Sequence, residues 1–367
     1  MKLENIQLQD FRNYQALNLD FDPGVNLIVG DNAQGKTNLL EAISYLGSGK
    51  SFRALKSNQM VRFSAEFAEC CGTVFSQERQ QTLRWLLFAS QRPRQLFHNG
   101  VKKKTAGDIA GVLQTVLFCP EDLMILKSGA SARRRLADHA LCQLRPNYEA
   151  ALTQYNRILE SKSRILKDRF ENPRVADVLP EYDRQLCHVG ALLISYRARF
   201  FEGMCAAAAK YHDHFSGGKE EFYLRYRTVS TVTDPFASVD VLQQNLQEHL
   251  QSHQRAELET AQCLTGPHKD DFTVSLSGID LKEYGSQGQT RTAAISLKLA
   301  QRELMGRESG QIPVLLLDDV LSELDPGRQD FVLNQISQGQ VFITCCEPGR
   351  FTKLGKTIEI CAGQVQM

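Results

Sequence analysis

Apolar positions along the chain follow two periods, and the switches between them lay out the elements. Ile6-Gln7-Leu8 and Leu17-Asn18-Leu19-Asp20-Phe21 alternate apolar and polar residues, the period of a half-buried strand. The Phe11-Arg12-Asn13-Tyr14 stretch between them turns the chain, and Pro23-Gly24 punctuates. Val25–Val29 is a short apolar run that predicts a buried strand, after which Leu39, Leu40, Ile43 and Leu46 recur at helical spacing. Strand-like runs return at 61–67, 72–75 and 83–88, and Asn99-Gly100 between apolar positions predicts a hairpin. Another short run, Val116-Leu117-Phe118, stops at Cys119-Pro120-Glu121-Asp122.

From Ser131 to Phe170 the period becomes helical. Tyr148, Leu152, Tyr155, Leu159 and Leu166 keep a four-and-three spacing that Lys162 interrupts, and Tyr182, Leu186, Val189, Leu193, Tyr196 and Phe200 repeat it unbroken. With Asn172-Pro173 between them, the two stretches predict an antiparallel helical hairpin. Residues 222–229 return to strand character, 239–264 read as helix, and Gly266-Pro267-His268-Lys269-Asp270-Asp271 forms a polar turn before a strand at 272–276. The remaining residues read helix, strand, helix, strand.

The first chemistry lies between the Val25–Val29 strand and the helix after it. Gly30-Asp31-Asn32-Ala33-Gln34-Gly35-Lys36-Thr37 fits G-x-x-x-x-G-K-[ST] in the strand–turn–helix context that a phosphate-binding loop needs. Glycines let successive backbone N–H groups converge on phosphate oxygens, and the helix N-terminus adds a positive dipole end. Lys36 is expected to reach the β- and γ-phosphates, with the Thr37 hydroxyl on Mg²⁺. Val314-Leu315-Leu316-Leu317-Asp318-Asp319 supplies the second half: an apolar strand ending in two carboxylates, with Asp318 the expected metal holder and Asp319 the expected general base. Upstream, Tyr284-Gly285-Ser286-Gln287-Gly288-Gln289 opens a helix carrying Ile295, Leu297, Leu299 and Leu304, a second anion cradle. One nucleotide rarely needs two cradles in one chain. Ser286 and Gln289 are therefore expected to act catalytically on the γ-phosphate held by a second copy. Asp318 lies 282 positions after Lys36, more than one βαβ unit requires, so an insertion containing the helical hairpin splits the nucleotide fold.

Composition changes this picture little. Forty-three Lys and Arg balance 42 Asp and Glu, so a nucleic-acid site must be a local patch rather than a global field. Two clusters are candidates: Arg133-Arg134-Arg135, and Lys102-Lys103-Lys104 with Arg92 and Arg94, the latter equally readable as a solvated hairpin edge. No stretch of about 18 apolar residues and no leader pattern occur, so a cytoplasmic location is expected. The ten cysteines show no C-x-x-C spacing and read as reduced, mostly buried thiols. His249 and His253, four apart on a helix, read as a solvated face rather than a metal site.

Taken together, the 11–14 turn, Gly30 to Thr37, Cys119 to Asp122, Gly266 to Asp271, Ser286 to Gln289 and Leu317 to Asp325 resemble, in this order, the motifs of the ABC-type ATPase heads of chromosome maintenance and DNA repair, and within them the RecF family. The resemblance spans essentially the whole chain. It implies an α/β fold: an ABC-type ATPase head with an antiparallel β subdomain and an inserted helical, short coiled-coil-like subdomain. Boundaries are expected at 1–125 (loop half), 126–262 (helical insertion) and 263–367 (signature and acidic strand). It adds Arg12 and Asn38 to the nucleotide residues, and ATP with Mg²⁺ as cofactors. It further implies an ATP-dependent homodimer with weak, DNA-stimulated hydrolysis, acting at gapped DNA with RecO and RecR to help load RecA. Two departures stand out. No His follows the strand after Asp319, where Val341-Phe342-Ile343-Thr344 runs into Cys345-Cys346, and Asp319 stands where many relatives carry Glu. Both fit slow hydrolysis in which ATP is a clamp signal. An ATPase subunit of a membrane transporter would share the same nucleotide motifs and is the competing expectation.

Overall fold

Val25–Val29 is apolar apart from Asn26, whose amide is satisfied by the Asp22 backbone, because it runs through the middle of a sheet, parallel to Val341–Cys345 on one side and to Lys356–Cys361 on the other. Beyond Val341–Cys345 come Val314–Asp318 and then Thr115–Phe118, both parallel, and Gln364–Gln366 closes the opposite edge antiparallel. The structure, a computed structural model, describes residues 1–336, 338–347 and 349–366. It divides into two units, residues 1–124 with 297–367, and residues 125–296.

In the first unit a second, antiparallel sheet runs in the order Tyr14–Asp20, Lys2–Phe11, Phe67–Ser76, Arg79–Phe88, Gln95–His98 and Val101–Lys103. The helix Lys36–Ser48 shares one core with both sheets. Leu39, Leu40, Ile43 and Leu46 are fully buried among Ile6, Val74, Leu83 and Trp85 of the antiparallel sheet and Ile28, Leu316 and Phe342 of the parallel one. The predicted hairpin at Asn99-Gly100 is present. The run expected at 61–67 is not a strand. It meets the sheet through a bridge from Val61 to Phe11, and the strand begins at Phe67.

The chain leaves the parallel sheet after Thr115–Phe118 and returns to the neighbouring position at Val314–Asp318, so the second unit is inserted between two adjacent strands. Its helical hairpin is antiparallel. Tyr148 of Pro146–Asp168 packs on Tyr196 of Leu179–Ser216, with ring centroids 5.6 Å apart, while Lys162 further along meets Asp183 at 2.7 Å. The expected single helix from Ser131 is two, Ala130–Leu144 and Pro146–Asp168, because Pro146 has no N–H to continue the first and sits well at the start of the next. Lys162, which broke the apolar spacing, is 1% exposed and lies between Asp183 and Glu257.

The boundary expected at 262–263 falls inside this unit, which runs on to Ser296. The reason is a strand pairing: Asp271–Leu276 lies antiparallel to Phe222–Arg227 across the helix Val239–Thr260, so residues after 262 complete the sheet begun before it. His249 is a further correction. It is buried, with Nδ1 2.8 Å from Thr265 Oγ1 and its ring stacked on His253 at 4.0 Å.

Candidate nucleotide site

Gly30 to Thr37 lies where the central parallel strand ends and the first helix begins. The loop is tight because the 11–14 turn packs against Gly35. Gly35 has φ 122°, and a Cβ there would meet Asn13 Nδ2 at 2.7 Å and the Tyr14 hydroxyl at 3.0 Å. Those two side chains come from the 11–14 turn and hold the loop from outside: Asn13 Nδ2 donates to Gln34 O at 2.8 Å and Tyr14 Oη to Gly35 O at 2.9 Å. Asn38 Nδ2 donates to Asn13 Oδ1, tying the helix to the same turn, and Arg53 Nη1 donates to Asn38 Oδ1. Lys36 is 4% exposed, and its ammonium donates to Gly30 O at 2.6 Å and Asp31 O at 3.0 Å, with Cys346 Sγ 3.3 Å away. Asp31, Asn32 and Ala33 stand exposed at the tip.

The acidic strand reaches this loop through a third element. Thr37 Oγ1 donates to Asp318 Oδ1 at 3.0 Å, joining the loop to the end of Val314–Asp318. Between them, in register with Asp318 on one side and Ile28 on the other, sits Thr344. Its hydroxyl lies 2.9 Å from Asp318 Oδ1 and accepts from the Asp319 N–H at 2.8 Å. Burial pushes the Asp318 carboxyl above its ordinary value, against the opposing pull of the Thr344 and Thr37 hydroxyls. Asp319 turns the chain in the left-handed region, φ 51°, and is partly exposed.

Two expected residues have their hydrogen bonds turned inward. Arg12 donates from Nε and Nη2 to the two oxygens of Glu41, both at 2.7 Å, and from Nη1 to Gln59 O at 2.8 Å. Glu41 is fully buried on the first helix and needs that cation, so the guanidinium anchors the helix to the turn. A carboxylate on the apolar face of the Leu39–Leu46 helix is the signal that could have found this pair. Ser286 and Gln289 belong to the other unit. Ser286 is exposed immediately before the helix Gln287–Ser309. Gln289 Oε1 accepts from Ser286 N at 3.0 Å, Gln289 N donates to Ser286 Oγ at 3.2 Å, and Gln289 Nε2 donates to Glu220 Oε1 at 2.7 Å. Gln289 thus braces Ser286 and presents no unengaged amide group.

Of the basic clusters, Arg133 is not a surface cation. It is 2% exposed and holds Asp271 through Nε at 2.5 Å and Nη2 at 2.7 Å. Arg134 donates to Asp270 O, while Arg135 is exposed. Arg94 lies over Trp85 at 4.9 Å and Arg92 over Phe88 at 4.3 Å, whereas Lys102 and Lys104 are exposed at the sheet edge.

A glycine loop, an acidic strand one position removed across a parallel sheet and a helical insertion between strands define a phosphate-loop ATPase head. Residues 2–367 match the family model for the RecF/RecN/SMC N terminal domain, and the chain belongs to this family, in its RecF branch. It is 37% identical to the DNA replication and repair protein RecF of Agathobacter rectalis, over 100% of this chain and 99% of that one. With the protein of the same name from Clostridioides difficile it shares 38% identity over 95% of this chain and 92% of the other. Among solved structures, that of the recombination mediator protein RecF-ATPrS in the RecFOR pathway matches with TM-score 0.91 and 34% identity, covering 100% of this chain and 97% of that chain. An Smc head bound to the C-winged helix domain of ScpA matches in fold, with TM-score 0.56 and 16% identity over 100% of this chain and 97% of that one.

Proposed function

We propose that this chain is a recombination mediator of DNA repair whose ATP state switches it between monomer and DNA-engaging dimer. Its relatives are DNA replication and repair proteins, and the membrane-transporter expectation finds no support among them. The observation that carries the reading is the Thr37–Asp318–Thr344 cluster, which brings the phosphate loop and the acidic strand to one point.

The residues fit ATP with a magnesium ion. A loop whose glycines leave no room for side chains suits close approach of phosphate, and a hydroxyl and a carboxylate 3.0 Å apart are hard oxygen donors of the kind Mg²⁺ prefers. Thr37 and Asp318 would hold the ion, which when bound supplies charge neutralisation on the phosphates. Gly30 to Lys36 would hold the phosphates, with Lys36 exchanging its two loop carbonyls for phosphate oxygens. Asn38, through Asn13, keeps the helix N-terminus aimed at them. Asp319 is the proposed base for the attacking water, and its short side chain fits slow turnover. Arg12 acts through Glu41. Ser286 of a second copy would complete the site, Gln289 fixing its orientation.

The dimer would close on DNA in the cytoplasm and open on hydrolysis, with RecO and RecR as partners and RecA loading as the output. Sedimentation with and without ATP and gapped DNA tests the reading. Lys36→Ala is expected to lose ATP binding about a hundredfold or more, given several charge-assisted bonds to phosphate. Ser286→Arg is expected to bind ATP normally and remain monomeric. A Ser286→Arg protein that dimerises with ATP would refute the shared site.

A further inference from the structure

The segment that presents Ser286 is fastened, through one carboxylate, to the end of the longest helix. Glu220 lies in the loop between Leu179–Ser216 and the strand Phe222–Arg227. One of its oxygens accepts from Gln289 Nε2 at 2.7 Å, and the other faces His212 Nε2 at 2.9 Å. His212 sits in the last turns of Leu179–Ser216 with its side chain 1% exposed. A carboxylate only accepts, so Nε2 carries the proton, and His212 Nδ1 has no hydrogen-bond partner among the described residues. The imidazole is held on the polar side by Glu220 and on the other by the Phe222 ring, with centroids 5.4 Å apart. Beyond Gln289 the chain of contacts continues to Ser286 through two reciprocal bonds, the geometry of a capping box at a helix start. The Gln289 amide, and behind it His212, draw the Glu220 carboxyl below its ordinary value, which is the behaviour of an acceptor used in its ionised form.

We propose that Glu220 is a positioning residue for the composite nucleotide site. Through Gln289 it sets the orientation in which Ser286 meets the triphosphate of a second copy, and through His212 it makes that orientation depend on the end of the helix Leu179–Ser216. The inference rests on the shared-site reading above. A residue that only stabilised the fold would lower all functions together. Glu220 should instead separate two of them, because the phosphate loop belongs to the other unit.

The test uses the full chain with three variants. Glu220→Ala removes both contacts, Glu220→Gln keeps an acceptor for Gln289, and Gln289→Leu cuts the link to Ser286 while leaving Glu220 on His212. Binding of a fluorescent ATP analogue is measured at dilute protein, and ATP-dependent dimerisation by sedimentation. Glu220→Ala and Gln289→Leu are expected to weaken dimerisation about tenfold, the scale of one hydrogen bond to a charged group, with analogue affinity changed less than about twofold. Glu220→Gln should recover most of the loss. Wild-type dimerisation by Glu220→Ala overturns the proposal, as does a Glu220→Gln protein as impaired as Glu220→Ala. Should Glu220→Ala fail to fold, Gln289→Leu decides alone, and its normal dimerisation overturns the proposal. Ser286→Arg separates the two levels: if it dimerises, the shared site itself fails; if it is monomeric while Glu220→Ala dimerises, only the positioning role fails.

Discussion

Thr344 is the residue at which the loop strand and the acidic strand are joined, since the strand bearing it runs between them. Its hydroxyl serves Asp318 Oδ1 on one side and the Asp319 N–H on the other. Thr344→Val keeps the shape and removes both hydrogen bonds. Hydrolysis is expected to fall about tenfold, one charged hydrogen bond's worth, while ATP binding changes little and Thr344→Ser restores the rate. Phosphate release and nucleotide titration measure the two, and an unchanged rate in Thr344→Val would remove Thr344 from the site. His268 makes a different residue-scale prediction. Its Nε2–H donates to Cys263 O at 3.0 Å, and Nδ1 lies 2.7 Å from the Tyr155 hydroxyl. Burial pulls its pKa from 6.5 down to about 4. Between those values the unfolded chain takes a proton that the folded chain refuses, so stability falls as pH drops from about 6.5 to about 4. The full effect is on the order of 3 kcal/mol. Denaturant melts across that window should show a shallower pH slope for His268→Gln than for the unsubstituted chain. Parallel slopes would contradict the assignment.

At the scale of elements, what the sequence made legible follows from how local each signal is. Val25–Val29 and Val314–Asp318 read as buried strands because a parallel strand covered on both faces is a near-continuous apolar run, which only Asn26 and the terminal Asp318 interrupt here. Leu39 to Leu46 read as a helix because one apolar face recurs every three or four residues. The failures are pairings between distant positions. Arg133 looks like a surface cation until Asp271, far along the chain, closes on it, and His249 looks solvated until Thr265 covers it. The unit boundary was displaced for the same reason, since only the pairing of Phe222–Arg227 with Asp271–Leu276 places residues after 262 in the insertion. Within the nucleotide site the motifs were legible, but the buttress from Asn13 and Tyr14 was not. Lys162 shows what a break in pattern can mean. Its ammonium is buried between Glu257 at 2.5 Å and Asp183 at 2.7 Å, and Glu257 Oε1 also accepts from Leu264 N at 2.6 Å. Glu257→Ala should leave a buried cation half-compensated and cost about 3 kcal/mol or more. Urea unfolding measures it, and a loss under about 1 kcal/mol would show that Asp183 alone suffices.

At the scale of the whole molecule, near-zero net charge leaves DNA binding to local surfaces, and the structure divides the two basic clusters by what each cation already holds. Reversing Arg133 would place a carboxylate in a buried position, against the Asp271 carboxylate that it now neutralises, so Arg133→Glu is expected to unfold the second unit and says nothing about DNA. Arg135 is exposed, as are Lys102 and Lys104, which lie at the Val101–Lys103 edge strand. Edge lysines also keep sheets from pairing with each other, so aggregation must be read alongside affinity. If the edge binds phosphate, Lys102→Glu with Lys104→Glu should weaken DNA binding at low salt. It should also flatten the dependence of log affinity on log salt by about 0.9 for each duplex phosphate that is no longer neutralised. Fluorescence anisotropy at several salt concentrations reads both quantities from one protein. Unchanged slope and affinity with new aggregation would assign the lysines to edge protection, and Arg135→Glu in the same titration would then carry the search to the second unit. Because ATP is proposed to bring two copies together, each substitution should reduce the slope about twice as much with ATP as without it. That ratio connects the nucleotide loop to the DNA surface without assuming where on the dimer the duplex lies.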